Sequence, residues 1–251
     1  MMAFIEVDHV KKIYGMKFNR STAIDNISFV IDPGEFVGIM GPSGAGKTTL
    51  LNIMSTIDKP TFGHIKIDNR DVTQYDEKKL SEFRRQKLGF VFQDFNLLNS
   101  LTIRENIILP LALDKLNVET IEEKLANIAN VLNLNTILER FPNEVSIGQQ
   151  QRAAVGRAII TEPKMLFADE PTGSLDSKAA TELLQYLTDV NEKQKMTLMM
   201  VTHDAFTASY CKRIIFIKDG HVFAEIRRDG QRKDFFQKII DMQAAIGGGE
   251  Q

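Results

Sequence analysis

Residues Gly41-Pro-Ser-Gly-Ala-Gly46-Lys47-Thr48 lie between an apolar run, Phe36 to Met40, and a helix-forming stretch, Thr49 to Met54. The spacing G-x-x-x-x-G-K-[ST] in that setting calls for a strand, a tight turn and a helix. Glycines let the backbone curl so that successive N–H groups point inward, and the helix adds its positive N-terminal end. Such a turn is built for phosphate. Lys47 would reach the β- and γ-phosphates, and the Thr48 hydroxyl would ligate Mg²⁺. A nucleoside triphosphate is the expected ligand.

The chain has 251 residues, enough for one large domain or two small ones. Net charge is −2, so no general basic footprint points to nucleic acid. No apolar run approaches the roughly 18–20 residues that cross a bilayer. The start, Met1 to Glu6, lacks a charged-then-apolar leader pattern. One cysteine, Cys211, rules out an internal disulfide. A cytosolic, soluble chain is expected.

Phe4–Val10 and Ala23–Ile31 read as two strands of an antiparallel ribbon, joined by a polar loop holding Tyr14, Gly15 and Asn19. Gly63–Asp68 alternates like a short strand, and Leu88–Phe92 reads as a buried strand ending at Gln93. From Asp94 to about Gly156 helical periodicity dominates, as in Thr120–Leu132, which indicates a helical insertion. Strand–helix alternation then returns: Met165–Ala168 is a strand, Ser177–Asn191 a helix and Thr197–Val201 a strand. Arg213–Lys218 and His221–Ile226 flank Asp219-Gly220, a strong hairpin signal. A terminal amphipathic helix carries Phe235, Phe236, Ile239, Ile240 and Ile246, and Gly247-Gly248-Gly249 stops it before a disordered tail.

Chemistry gathers at strand ends. Met165–Ala168 runs into Asp169-Glu170, which in an open α/β sheet sets two carboxylates beside the phosphate turn. Asp169 would hold Mg²⁺ through its water shell, and Glu170 would orient or deprotonate the attacking water. Thr197–Val201 ends in Thr202-His203-Asp204, where His203 would hold a γ-phosphate oxygen in line. Gln93 reads equally as a contact to Mg²⁺ or water and as an ordinary boundary glutamine. Tyr14 is either an aromatic platform for a base or a residue packed on the ribbon. Ser146, within Val145-Ser146-Ile147-Gly148-Gln149, caps a helix running through Ile160; it is either a second anion site or a helix cap alone.

Together these motifs resemble, in order and over essentially the whole chain, the nucleotide-binding subunit of an ATP-binding cassette (ABC) transporter. Gly41–Thr48 is similar to the family's Walker A loop and Met165–Glu170 to its Walker B strand. Gln93 is similar to the Q-loop, Ser146–Gln149 to the signature, Ser174-Leu175-Asp176 to the D-loop, and His203 to the switch histidine. The resemblance implies a RecA-like P-loop core with an antiparallel β subdomain, about 1–93 and 157–226, a helical subdomain, about 94–156, and a C-terminal helix and tail, 227–251. It implies ATP held by Tyr14, Gly41, Ser43, Gly44, Ala45, Gly46, Lys47, Thr48 and Thr49, and by Ser146, Gly148, Gln149 and Asp176. It implies catalysis by Glu170, His203 and Gln93, with Mg²⁺ on Thr48, Gln93 and Asp169. Two copies are expected to pair head to tail, the signature helix of one covering ATP on the other.

One departure stands out. The usual signature is Leu-Ser-Gly-Gly-Gln, and here Val145 and Ile147 replace the leucine and first glycine. If position 147 needs a positive φ, isoleucine is strained there and the ATPase attenuated. Gln93-Asp-Phe-Asn-Leu-Leu98, Leu101–Ile107, Ala208–Gly220 and Arg232–Phe236 are similar to the bacitracin-resistance (Bce-type) group. The resemblance implies a separate membrane permease, a place at the cytoplasmic face of the membrane, and antimicrobial-peptide resistance. Lipoprotein-release or macrolide-efflux ATPases are the alternative, and a soluble non-transport ABC ATPase the more remote one.

Overall fold

The computed structural model describes residues 3–15 and 19–247. Its frame is a six-stranded sheet built from β3 (Phe36–Met40), β6 (Leu88–Val91), β7 (Met165–Asp169), β8 (Thr197–Val201), β9 (Arg213–Lys218) and β10 (His221–Arg227), in the order β10-β9-β3-β8-β7-β6. Five strands are parallel; only β10 is antiparallel, because the Asp219-Gly220 hairpin folds it back on β9. Buried on both faces, β3 is apolar throughout and β8 is apolar after Thr197, as is usual for parallel strands.

The two sheet faces feed separate cores. Val37, Ile39, Phe167, Met199 and Val201 point toward α1 (Lys47–Met54) and a four-stranded antiparallel sheet. That sheet has the order β2-β1-β4-β5, from β1 (Ile5–Tyr14), β2 (Ser21–Ile31), β4 (Phe62–Ile67) and β5 (Arg70–Asp71). On the other face Phe36, Met40, Leu166, Met200 and Phe216 pack with α5 (Ile147–Ile159), α6 (Ser177–Gln194) and α8 (Arg232–Gly247). This alternation along each strand is the period-2 pleat. A third core lies among α3 (Ile103–Leu113), α4 (Val118–Val131) and α5, with Ile107, Leu111, Leu125 and Ala153 inside.

Several expectations shift. β1 and β2 extend beyond Val10 and Ala23 because register shifts near Val10 and Lys12 let pairing continue until Tyr14 meets Ser21. Tyr14 therefore ends a strand and does not lie in the loop. Those bulges scramble the in–out alternation by which the strand is read. The helix over Ser177–Asn191 runs on to Gln194, where Lys195 ends it in a left-handed conformation. Two helices are additions to the sequence reading, α2 (Glu77–Lys87) and the four-residue α7 (Ala205–Ala208). In α8, Phe235, Ile239 and Ile246 are buried while Ile240 faces solvent. Each buried side chain contributes roughly 1.5–3 kcal/mol, which holds α8 on the sheet. Gly248 and Gly249, expected to open a tail, lie outside the described residues. Among the described residues, no helix is long and apolar enough to cross a membrane.

Candidate active site

Because β3, β8, β7 and β6 are parallel neighbours, their C-terminal ends share one edge of the sheet. Ile39 pairs with Val201, and Asp169 with Val201 on its other side. The phosphate turn after β3, the Thr202-His203 pair after β8, the Asp169-Glu170 pair and Gln93 after β6 are thus set side by side. They enclose a cleft of about 440 Å³ lined by Ser43, Gly44, Gly46, Lys47, Thr48, Thr49, Gln93, Glu170 and His203. Gly173, Ser174 and Ala23 complete the wall.

The turn has the shape its glycines dictate. Gly46, at φ 98, opens α1, and a Cβ there would stand 2.3 Å from the Ala23 carbonyl oxygen. Alanine is excluded both by conformation and by space. Gly41 packs beneath the Ile217 carbonyl oxygen, which a Cβ would meet at 2.0 Å. Lys47 Nζ donates to the carbonyl oxygens of Gly41, at 2.9 Å, and Pro42, at 2.8 Å. The ammonium thus ties the turn back on itself. Burial lowers its pKa, and the nearby Glu170 and Asp169 carboxylates oppose that shift.

Across the cleft Glu170 adopts φ 45, an unusual backbone for a side chain of this size. Its N–H donates to the Val201 carbonyl at 2.9 Å. One carboxylate oxygen lies 2.8 Å from His203 Nδ1, and the other accepts from Thr202 Oγ1 at 3.3 Å. Glu170 and His203 therefore form a linked pair. Asp169 lies half-buried beside Thr48, and its Oδ1 is buried without a partner. Burial, then repulsion from Glu170, raises the Asp169 pKa, while Lys47 and Thr48 oppose the rise.

Five expected site residues stand outside this cleft. Tyr14 donates from its hydroxyl to Asp58 at 2.9 Å, with Lys12 Nζ 4.8 Å from its ring centroid. Ser146 caps α5: its Oγ accepts from Gln149 N, and Gln149 Oε1 accepts from Ser146 N at 2.9 Å. Asp176 caps α6 through the Lys178 and Ala179 N–H groups. Gly148 is helical, and a Cβ there would find only ordinary contacts, 3.7 Å from Leu175 and 3.8 Å from Ala179. Ile147 is the first residue of α5 with no positive φ, and its side chain is exposed. The condition for strain at that position is not met, because the cap falls on Ser146 and the helix begins at 147.

Sequence reasoning missed two residues that hold the segment following Gln93. Arg157 on α5 donates at 2.6 Å to the carbonyl oxygens of both Phe95 and Asn96, which adopt positive φ just after Gln93. Asn106, fully buried in α3, bonds Leu98 on both backbone groups and donates also to the Leu101 and Thr102 carbonyls. A polar side chain breaking an apolar helix stripe was the available signal for Asn106.

The sequence model described as "ABC transporter" matches residues 24–173, from β2 through the phosphate turn to the segment after Glu170. The chain belongs to the ABC transporter family. It is an ATP-hydrolysing cassette of that family. A solved dimer of the ABC cassette MJ0796 of Methanocaldococcus jannaschii, in a post-hydrolysis state with ADP and Pi, superposes with a TM-score of 0.85 at 40% identity. The match covers 90% of this chain and 100% of that one. Bacitracin export ATP-binding protein BceA of Halalkalibacterium halodurans is 48% identical over 248 residues, 98% of each protein. Macrolide export ATP-binding/permease protein MacB of Syntrophobacter fumaroxidans is 39% identical over 89% of this chain but only 32% of MacB.

Proposed function

We propose that this ABC cassette powers a separate membrane permease that confers resistance to bacitracin-type antimicrobial peptides. The observation that carries the reading is the end-to-end likeness to a bacitracin-export ATPase, 98% of both chains. Macrolide export is the weaker reading, since MacB shares its cassette with a permease in one chain and the likeness spans a third of it. A groove of about 460 Å³ between α2, β6 and α3 supports a permease partner. Ile57, Phe90, Phe92, Leu109 and Leu113 line it, with Arg84 and Arg85 at hand, and Ile57 and Leu113 are largely exposed. Such a surface suits an amphipathic helix, which would hold the cassette at the cytoplasmic face of the membrane. Leu109 of α3 lines the groove, whereas Ile107 and Leu111 of the same helix fill the helical core.

In the proposed cycle ATP lies along the phosphate turn, wrapped by the backbone of residues 41–48, with Thr49 beside it. Tyr14 stands at the rim, fixed by Asp58 to receive the base. Lys47 exchanges its two carbonyl partners for phosphate oxygens. Glu170 accepts a proton from the attacking water, and His203 holds Glu170 and the γ-phosphate in line. The residues fit Mg²⁺: Asp169 Oδ1 is a buried acceptor with no partner, beside the Thr48 hydroxyl, and the Gln93 amide lines the same cleft. The cation, when bound, neutralises charge on the β- and γ-phosphates.

Ser146, Gly148 and Gln149 lie outside their own chain's cleft, which supports a second copy as their target. Nothing within the chain demands glycine at 148, so the space there suits a phosphate from the partner. Asp176 follows the Gly173-Ser174 wall and would reach across the same interface. Two copies so paired bury two ATP molecules, and hydrolysis releases them. We further propose the division into an ATP-binding core with β subdomain, about 1–93 and 157–226, a helical subdomain, about 94–156, and the C-terminal helix.

The partner is open to direct test. Tagged chain expressed in its source cells is expected to retain an integral membrane protein through purification. Leu113→Glu, on the exposed groove rim, is expected to lose it while keeping ATP binding. Retention unchanged by that charge would place the partner elsewhere. Recovery with a macrolide or lipoprotein permease, and no loss of bacitracin tolerance on deletion, would contradict the substrate class.

A further inference from the structure

His203 reaches Glu170 with little support from its own packing, because its side chain is 74% exposed. Its position is therefore inherited from its backbone. Upstream, Thr202 N–H donates to the Ile39 carbonyl at 3.2 Å, which fixes the segment to the end of β3. Downstream, the Asp204 carboxylate accepts from Phe206 and Thr207 N–H groups, and the Thr207 hydroxyl meets that of Thr172 at 2.9 Å. At this corner the His203 carbonyl accepts from Gln243 Nε2 at 2.9 Å. Gln243 lies on α8, forty residues away and beyond the segment matched by the family.

Gln243 sits four residues after Ile239 and three before Ile246, so it is half-buried at the edge of the apolar stripe of α8. From there its amide reaches the histidine corner. α8 is itself locked to the same region. Arg232 donates to Ser209 Oγ at 3.1 Å and stacks 4.3 Å from the Tyr210 ring centroid, and Lys218 Nζ donates to the Ile246 carbonyl at 3.0 Å. The helix is anchored at both ends, with Gln243 reaching back between.

We propose that Gln243 is a positioning residue for hydrolysis: from α8 it fixes the carbonyl of His203 and so sets where that imidazole stands against Glu170. The inference rests on the role given to His203 above. Gln243→Met keeps the length of the side chain and removes the donor, whereas Gln243→Lys retains a donor. Gln243→Met is expected to lower kcat for ATP about 3- to 10-fold, the worth of one hydrogen bond, with KM and melting temperature unchanged. Gln243→Lys is expected to restore most of that loss. The chain has only four histidines, so nitrogen-15 NMR of the imidazoles can follow each; the His203 signal is expected to move in Gln243→Met, and His9, His64 and His221 to stay. An unchanged kcat or an unmoved His203 signal in Gln243→Met would overturn the proposal, as would an equal loss in Gln243→Lys. A separate His203→Ala protein with full kcat would instead overturn the reading of His203 itself.

Discussion

Glu170→Gln is expected to lower phosphate release by about 10²- to 10⁴-fold while leaving ATP affinity intact. The substitution preserves size and both partners of the side chain: Thr202 Oγ1 can still donate to an amide oxygen, and His203 still has a hydrogen-bonding group to meet. Only the capacity to accept a proton from water is lost. The backbone of residue 170 is held by its own bond to Val201, so the unusual φ of 45 survives the change. Phosphate release measured beside calorimetric ATP binding separates the two effects. Equal turnover in both proteins would remove Glu170 from the chemistry.

Lys47→Ala is expected to weaken ATP binding by about 10- to 100-fold, the worth of one to two charge-assisted hydrogen bonds. Two losses combine. The ammonium is the cation nearest the phosphates, and it also ties the turn through the Gly41 and Pro42 carbonyls. Burial lowers its pKa, the Glu170 and Asp169 carboxylates oppose that shift, and a triphosphate would add to the opposing charge. Calorimetry with ATP checks the affinity. A dissociation constant equal to that of the unaltered protein would mean that the backbone N–H groups of the turn carry the phosphates alone.

Much of the site was legible because its parts lie at ends of apolar strands, where a short run of Val, Ile, Leu, Met or Phe gives way to a charged or polar residue. Parallel pairing then does the rest. Once β3, β8 and β7 are neighbours, Lys47, Glu170 and His203 have nowhere to be but one edge. What escaped notice depended on long-range geometry. α2 buries only Leu80 and Phe83 among charged residues, too thin a stripe to stand out. α7 spans only four residues, Ala205–Ala208, too short to show a helical period. The Arg157 clamp on Phe95 and Asn96 joins residues more than sixty apart and leaves no local trace. At Ile147 the sequence left open whether a positive φ is needed; the residue is an unstrained first position of α5 with its side chain in solvent, so the condition for strain is not met.

Ser43 in the phosphate turn and Ser146 beside Ile147 are both exposed, and they would meet across the interface if ATP is shared between two copies of the chain. A Ser43→Cys, Ser146→Cys protein carrying Glu170→Gln tests this directly. Its one native cysteine, Cys211, is fully buried and its thiol pKa is pushed well up, so it stays silent. With ATP and a short bifunctional thiol reagent, the account predicts covalent dimers that vanish without nucleotide. Monomers alone under saturating ATP would contradict it.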